Sequence, residues 1–340
     1  MQENSPIERG QIADDGRPAR RRRDTGRAAR RQRPGTAPAG KLRSRPGRWR
    51  HAGARCFYKE FPLMKTWFIT GTSTGFGRIL TEKLLARGDR VAATLRRPAL
   101  LDALRERYGQ RLWVETLDVT DTERVAPVVE AAFDAFGRID VLVNNAGYAA
   151  FGAADELSDA QLRRQLDTNV LGSIHVARAA LSRLRAQGGG RILQVSSMGG
   201  QIALPGLCAY HASKWAIEGF FEAVAQDVAS FGIEATLVEP AGAHTRFIHG
   251  LDHAQPLDVY ADTIVGERRR ALASPSTYRL PLSSEKAVDA MIASVDVSPA
   301  PRRLVLGGGA YRLIHAALGA RLAELEAQRE IAFGADDDVS

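Results

Sequence analysis

The stretch TWFITGTSTGFGRILTEKLLARG, Thr66 to Gly88, decides the fold. Thr66 to Thr70 is a short run rich in branched and aromatic residues, the pattern of a buried strand. It runs into a glycine-rich turn, and the turn opens a helix pattern at Arg78. Gly71, Gly75 and Gly77 let the backbone turn tightly and come close to a pyrophosphate, whose charge a helix N-terminus favours. Their spacing is Gly-x-x-x-Gly-x-Gly, which differs from the commoner Gly-x-Gly-x-x-Gly dinucleotide fingerprint. Alone, such a turn could be a plain strand-to-helix corner. Its place after the first strand of an alternating pattern favours the nucleotide reading.

That alternation continues to the end of the chain. RVAATL (90–95), RLWVETL (111–117), DVLVNN (140–145), RILQVSS (191–197), IEATLVEP (233–240) and RRLVLG (302–307) are further strand-like runs, most of them separated by longer amphipathic stretches. Strands alternating with helices imply a parallel sheet covered on both faces through right-handed crossovers. The expected fold is α/β: a doubly wound, Rossmann-like parallel sheet of seven strands in a single domain over 64–335. There is no internal repeat. Residues 245–283 form the one long irregular insertion, and AYRLIHAALGARLAELEAQRE (310–330) is a helix expected to close over the sheet.

Composition bounds the possibilities. The chain has 340 residues, 44% of them hydrophobic, with no apolar run near the ~20 residues that span a bilayer. Two cysteines, Cys56 and Cys208, make neither a disulfide framework nor a zinc site, which suits a reducing, cytoplasmic setting. The net charge of +8 is unevenly placed: residues 1–63 hold 17 Lys and Arg against 6 Asp and Glu, and the remainder holds 30 against 33. The first 63 residues, rich in Arg, Gly, Pro and Ala and without apolar periodicity, are expected to be a disordered extension. Met64 stands just before the first strand, as a translation start would, so the extension is read as dispensable or as a mis-called start; a basic arm that touches nucleic acid is the alternative.

AYHASKWAI (209–217) places Tyr210 and Lys214 at i and i+4, neighbours on one helical face. Taken alone, the pair is a solvated helix face. In company with TGTSTGFG (70–77), LDVT (117–120), NNAG (144–147), NVLG (169–172) and the serines 196 and 197, it resembles the short-chain dehydrogenase/reductase family, densely over 64–247 and more loosely to the C-terminus. The resemblance implies an oxidoreductase that moves a hydride between a nicotinamide cofactor and a carbonyl or secondary alcohol. Hydride arrival at a carbonyl carbon leaves an alkoxide to protonate, and the reverse reaction needs a base. A tyrosine of pKa ~10 is a poor base at neutral pH, and a nearby ammonium together with an oxidised nicotinamide lowers that value.

Site residues follow from the resemblance. Tyr210 is the proton carrier and Lys214 its modulator, which also binds the nicotinamide ribose. Ser197, thirteen residues before Tyr210, bonds the substrate oxygen, and Asn169 holds a water linked to the lysine. The plain alternatives are a strand-end hydroxyl bonding its own backbone and a solvent-facing polar residue. Cofactor contact extends along the turn through Gly71, Thr72, Ser73, Gly75, Phe76 and Gly77. Asp118 and Val119 resemble the residues that hold the adenine, and Asn145, Ala146 and Gly147 the turn beside the adenosine. Pro240 and Thr245 fall where the family meets the nicotinamide, although Ala241 stands where the family has glycine. At the end of the second strand an NAD enzyme wants a carboxylate; here Leu95 is followed by Arg96 and Arg97, so Arg96 reads as a 2′-phosphate clamp, and NADP is favoured over NAD. The alternative is a solvated loop.

The insertion after Thr245 is expected to cover the substrate, and Phe247, Ile248, Leu251, Leu257 and Tyr260 suit a largely apolar carbonyl or alcohol. His244, His249 and His253 are read as surface histidines rather than metal ligands, and Cys208 as a space-filling residue or a substrate neighbour. Homodimers or homotetramers are expected, through 159–186 and 208–231. The contrasting function is a catalytically inactive cofactor-binding sensor or scaffold whose basic arm recruits nucleic acid; intact Asn169, Ser197, Tyr210 and Lys214 argue for the enzyme.

Overall fold

The computed structural model describes residues 64–243, 247–274 and 281–336; the expectations for 1–63, His244 and Thr245 lie outside the described residues. In chain order the elements are β1 (Thr66–Thr70), α1 (Gly75–Arg87), β2 (Arg90–Leu95), α2 (Asp102–Tyr108), β3 (Leu112–Thr116), α3 (Thr122–Phe136), β4 (Val141–Asn144), β5 (Ala150–Phe151), α4 (Asp159–Leu166), α5 (Gly172–Ala186), β6 (Gly190–Val195), α6 (Cys208–Asp227), β7 (Ile233–Pro240), β8 (Asp252–His253), α7 (Ile264–Ala273), α8 (Ser284–Ser294), β9 (Arg303–Leu306), α9 (Gly308–Ala327) and α10 (Arg329–Phe333). The seven apolar runs of the sequence become a seven-stranded sheet in the order β3-β2-β1-β4-β6-β7-β9. Every pairing is parallel. Strand order reverses between β1 and β4, which opens a crevice at the carboxyl ends of the strands, the position where such sheets bind ligands. Among the described residues no helix is long and apolar enough to cross a membrane.

All five residues of β1 are buried, because both faces of the sheet are covered. Trp67 and Ile69 point into one core with Leu80 and Leu84 of α1, Val288 of α8 and Ile314 of α9. Phe68 points into the other with Val125 and Val129 of α3, Val176 of α5 and Phe221 of α6. Adjacent strand residues therefore serve opposite faces, as the two-residue period requires.

Three expectations change. The stretch 245–283 is not irregular where it is described: β8 pairs in parallel with β5, and α7 follows. Helix α9 does not close over the sheet along its length. Its buried residues are Ala310 and Ile314, both near its start, while Leu322 and Leu325 are exposed. β9 has four residues and spans about 13 Å, whereas twenty helical residues span about 30 Å, so the helix outruns the edge strand. Finally, the stretch 159–186 is not one regular α-helix: Asp167–Leu171 is a π-helical segment that joins α4 to α5 without a break.

Candidate active site

The first wall of the crevice is the turn between β1 and α1. Gly71 and Gly75 have φ of +71° and +59°, values that only glycine adopts easily. A Cβ at Gly71 would come within 2.9 Å of the Ala146 backbone, and one at Gly77 within 2.5 Å of the Gly71 carbonyl oxygen and of Asn145 Nδ2. The turn is thus pressed against the NNAG loop across the strand reversal. Thr70 fastens the two: its Oγ1 accepts from the amides of Asn145 and Ala146, both at 3.0 Å. Asn145 Nδ2 answers by donating to the carbonyls of Thr70 at 2.9 Å and Gly71 at 3.0 Å.

Helix α1 begins in this wall without a side-chain cap and without an acidic residue in its first turn. By contrast α3, α4, α7 and α8 are capped by Asp121, Ser158, Thr263 and Ser283. The first amides of α1 are left for a ligand, and Ser73, Thr74, Gly75 and Phe76 line a cleft of about 710 Å³. An uncapped, glycine-built helix start in a cleft is an anion cradle, and it fits the pyrophosphate of a dinucleotide. Arg96, Asp118, Val119, Asn145, Ala146 and Gly147 line the same cleft. Arg96 is exposed, and no carboxylate pairs with it among the described residues.

The opposite end of the cleft holds Ser197, Tyr210 and Lys214. Ser197 lies just past β6, where its Oγ accepts from the Gly199 amide at 3.0 Å. Lys214 donates from Nζ to the Val195 carbonyl at 3.0 Å and stands 5.7 Å from the Tyr210 ring centroid. Both side chains are buried. Burial pushes the phenol up to about 12, with the Ser197 hydroxyl pulling the other way and Glu218 adding to the rise. Burial likewise lowers the lysine to about 8, against the pull of Glu218.

Asn169 is buried in the π-helical segment, and its amide is fully used. Oδ1 accepts from the Tyr148 amide at 3.1 Å, while Nδ2 donates to the Tyr148 carbonyl at 2.9 Å and to Ser213 Oγ at 3.1 Å. It does not line the cleft; it holds the strand-to-loop backbone that does. Thr72 is also away from the cleft, buried with its hydroxyl on the Thr94 carbonyl at 3.2 Å. Gly77 serves by close packing rather than by facing a ligand. Pro240 lines the cleft, followed by Ala241, Gly242 and Ala243. The methyl group of Ala241, where glycine was expected, finds space against Gly307, itself at φ +103°. Cys208 is exposed, so it fills no space in the core, and it does not line the cleft.

Sequence reasoning missed several residues. Thr70 gave only the signal of a threonine at a strand end, and His211 was hidden behind its catalytic neighbour. His211 lines the cleft with both ring nitrogens engaged, Nδ1 at 2.8 Å from the Gly199 carbonyl and Nε2 accepting from the Leu204 amide at 2.8 Å. Arg164, Asp252 and Arg268 line the substrate end. No local motif marks them, because the fold brings them together from α4, β8 and α7.

Comparison with known proteins follows this geometry. Residues 65–256 match the family model described as short chain dehydrogenase. Oxidoreductase BOA17 of Botryotinia fuckeliana is 36% identical over 272 residues, covering 80% of this chain and 99% of the relative. A short-chain dehydrogenase from Streptomyces avermitilis has a similar structure, with a TM-score of 0.74 and 36% identity over 81% of this chain and 99% of that one. A Burkholderia cenocepacia short chain dehydrogenase in complex with NADP is similar at a TM-score of 0.61 and 25% identity, covering 78% of this chain and 97% of that one. A match of this extent, on a chain whose anion cradle and buried tyrosine and lysine share one cleft, makes it a member of the short-chain dehydrogenase family and a nicotinamide-dependent oxidoreductase.

Proposed function

We propose that this oxidoreductase interconverts a carbonyl compound and its secondary alcohol, with Tyr210 carrying the proton. The observation that carries this reading is the convergence of Ser197, Tyr210 and Lys214 at one end of a cleft whose other end is the glycine cradle. A bound nicotinamide supplies or accepts the hydride. The residues of the chain manage everything else. Gly71, Ser73, Gly75 and Phe76 receive the pyrophosphate, with Gly77 and Thr72 holding the turn in shape. Asp118, Val119, Asn145, Ala146 and Gly147 face the adenosine, and Pro240 the nicotinamide. Ser197 holds the substrate oxygen beside the Tyr210 phenol. A phenol pushed up to about 12 keeps its proton through the neutral range and is ready to donate it to a developing alkoxide. Lys214 places a buried ammonium beside that event, and Asn169 holds the Tyr148 backbone at the end of the NNAG loop.

The test is Tyr210→Phe, which keeps the ring and removes the acid. Turnover should fall by about 10²- to 10⁴-fold with cofactor affinity nearly unchanged. A variant retaining more than about a tenth of wild-type turnover contradicts the assignment.

For the cofactor we propose NADP over NAD, with Arg96 as the 2′-phosphate clamp. Supporting this are the exposed, unpaired guanidinium in the cleft wall and the absence of an acidic residue at the end of β2. Arg96→Ala should lower kcat/KM for NADP by about tenfold or more and leave NAD little changed. Equal losses with both, or a wild-type preference for NAD, would show that Arg96 does not read the phosphate.

A further inference from the structure

Helix α7 forms part of the substrate wall and carries three consecutive arginines, Arg268, Arg269 and Arg270. Two of them are committed to the protein. Arg269 donates to Glu156 at 2.5 Å, and Arg270 Nη1 donates to the Ala261 carbonyl at 2.6 Å. Arg268 is half-buried, lines the cleft, and pairs with no carboxylate among the described residues.

Its surroundings give it no counter-charge. Arg164 and Asp252, the other charged pair at this end, neutralise each other at 2.5 Å, and Gln161 Nε2 takes the remaining Asp252 oxygen at 3.0 Å. His211 lines the same cleft, its ring edge-on to that of Tyr210 at 5.9 Å. Burial holds this imidazole neutral, with the charge of Arg268 acting in the same direction. Apolar side chains line the same cleft: Leu204, Leu207, Phe247, Leu251 and Leu272. A half-buried guanidinium against apolar side chains is costly unless an anion meets it, and its planar fork suits a carboxylate.

We infer that the substrate is an apolar carbonyl or alcohol bearing a carboxylate, with Arg268 holding the carboxylate while the reacting oxygen lies at Ser197 and Tyr210. This rests on the proposed role of Tyr210 and sharpens the substrate class from apolar to amphipathic and anionic.

The test uses the full chain with a series of methyl-ketone acids of increasing length, each paired with the methyl ketone of the same length lacking the carboxylate. At the best length, wild type should favour the acid by about tenfold or more in kcat/KM, the value of a charge-assisted hydrogen bond. Arg268→Met should bring that ratio close to one, mainly through KM for the acid, while Arg270→Met leaves the ratio as it was. Wild type treating acid and ketone alike at every length overturns the inference, as does an Arg268→Met loss that falls on KM for the cofactor. Calorimetric titration with the saturated fatty acid and the matching alcohol supplies a readout without turnover. The acid should bind wild type and Tyr210→Phe and lose affinity for Arg268→Met. Acid binding without turnover of any ketone sinks the hydride-transfer reading and spares the anion site; turnover without preference for the acid does the reverse.

Discussion

Lys214 is a buried ammonium that the fold tolerates for its chemistry. Its pKa, lowered from 10.5 to about 8, corresponds to a cost of roughly 3 kcal/mol for keeping the charge at neutral pH. Two consequences follow in opposite directions. The ammonium is lost as pH rises through about 8, so kcat/KM for the cofactor, which reports the free enzyme, should fall above that pH. Between about 8 and 10.5 the unfolded chain keeps a proton that the folded chain has released, so the contribution of Lys214 to stability rises with pH across that window. Lys214→Met should therefore abolish most activity, leave Tm at pH 7 no lower than wild type, and flatten the rise in stability on the alkaline side. Thermal unfolding of both proteins at neutral and alkaline pH checks this; a marked drop in Tm at pH 7 would mean that the Val195 bond outweighs the burial of charge.

Among the elements, we read the stretch 251–273 as a lid over the substrate, and long-range ties hold it. Glu156, just past β5, is buried, and its Oε1 accepts from the Leu257 amide at 2.9 Å. Its Oε2 accepts from the Ala153 amide at 2.7 Å and from Arg269 of α7 at 2.5 Å. Burial pushes this carboxyl upward, but the two amides and the guanidinium outweigh it and hold its pKa below the ordinary value. Glu156→Ala leaves Arg269 and two amides without their acceptor, so the lid should loosen by about 3 kcal/mol. Hydrogen exchange should quicken over 251–273 while β1 and β4 stay protected; uniform quickening would mean that Glu156 supports the whole domain. The seven-stranded sheet was legible in the sequence because each strand is a run of branched apolar residues between turn signals, and β1, β2 and β7 match their runs residue for residue. This lid was not. β5 and β8 have two residues each, too few for any periodicity, and the tie from Glu156 to Arg269 spans 113 residues. The glycine turn and the Tyr210–Lys214 pair were legible for the opposite reason, since the residues that make each motif lie within a few positions of one another, although what they pack against is distant in sequence. Asn169 was placed on a regular helix because nothing in its spacing distinguishes a π-helical turn from an α-helical one.

At the scale of the whole molecule, the last strand is tied into the fold beside α6 through a single guanidinium. Arg303 of β9 pairs with Glu218 of α6 at 2.6 Å and also with Glu222 of α6 and Glu239 of β7. Glu218 in turn accepts from Ser196 Oγ at 2.5 Å and from Gln201. One cation thus joins β6, α6, β7 and β9, and Glu239 immediately precedes Pro240 in the cleft wall. Three carboxylates around one guanidinium leave excess negative charge. Burial, with Glu218 adding to it and Arg303 opposing it, raises Glu239 from 4.5 to about 7. Between those values the folded chain binds a proton that the unfolded chain does not, so the stability that Glu239 contributes is fully present below about 4.5 and declines as pH rises to about 7. Glu239→Gln keeps an oxygen for Arg303 and removes the charge. Relative to wild type its Tm should be nearly unchanged at pH 5 and higher at pH 8, measured by thermal unfolding at both. A variant less stable than wild type at pH 8 would mean that the attraction between Arg303 and the Glu239 carboxylate exceeds the repulsion from Glu218, and that the tie of the last strand depends on the full charge of all three acids.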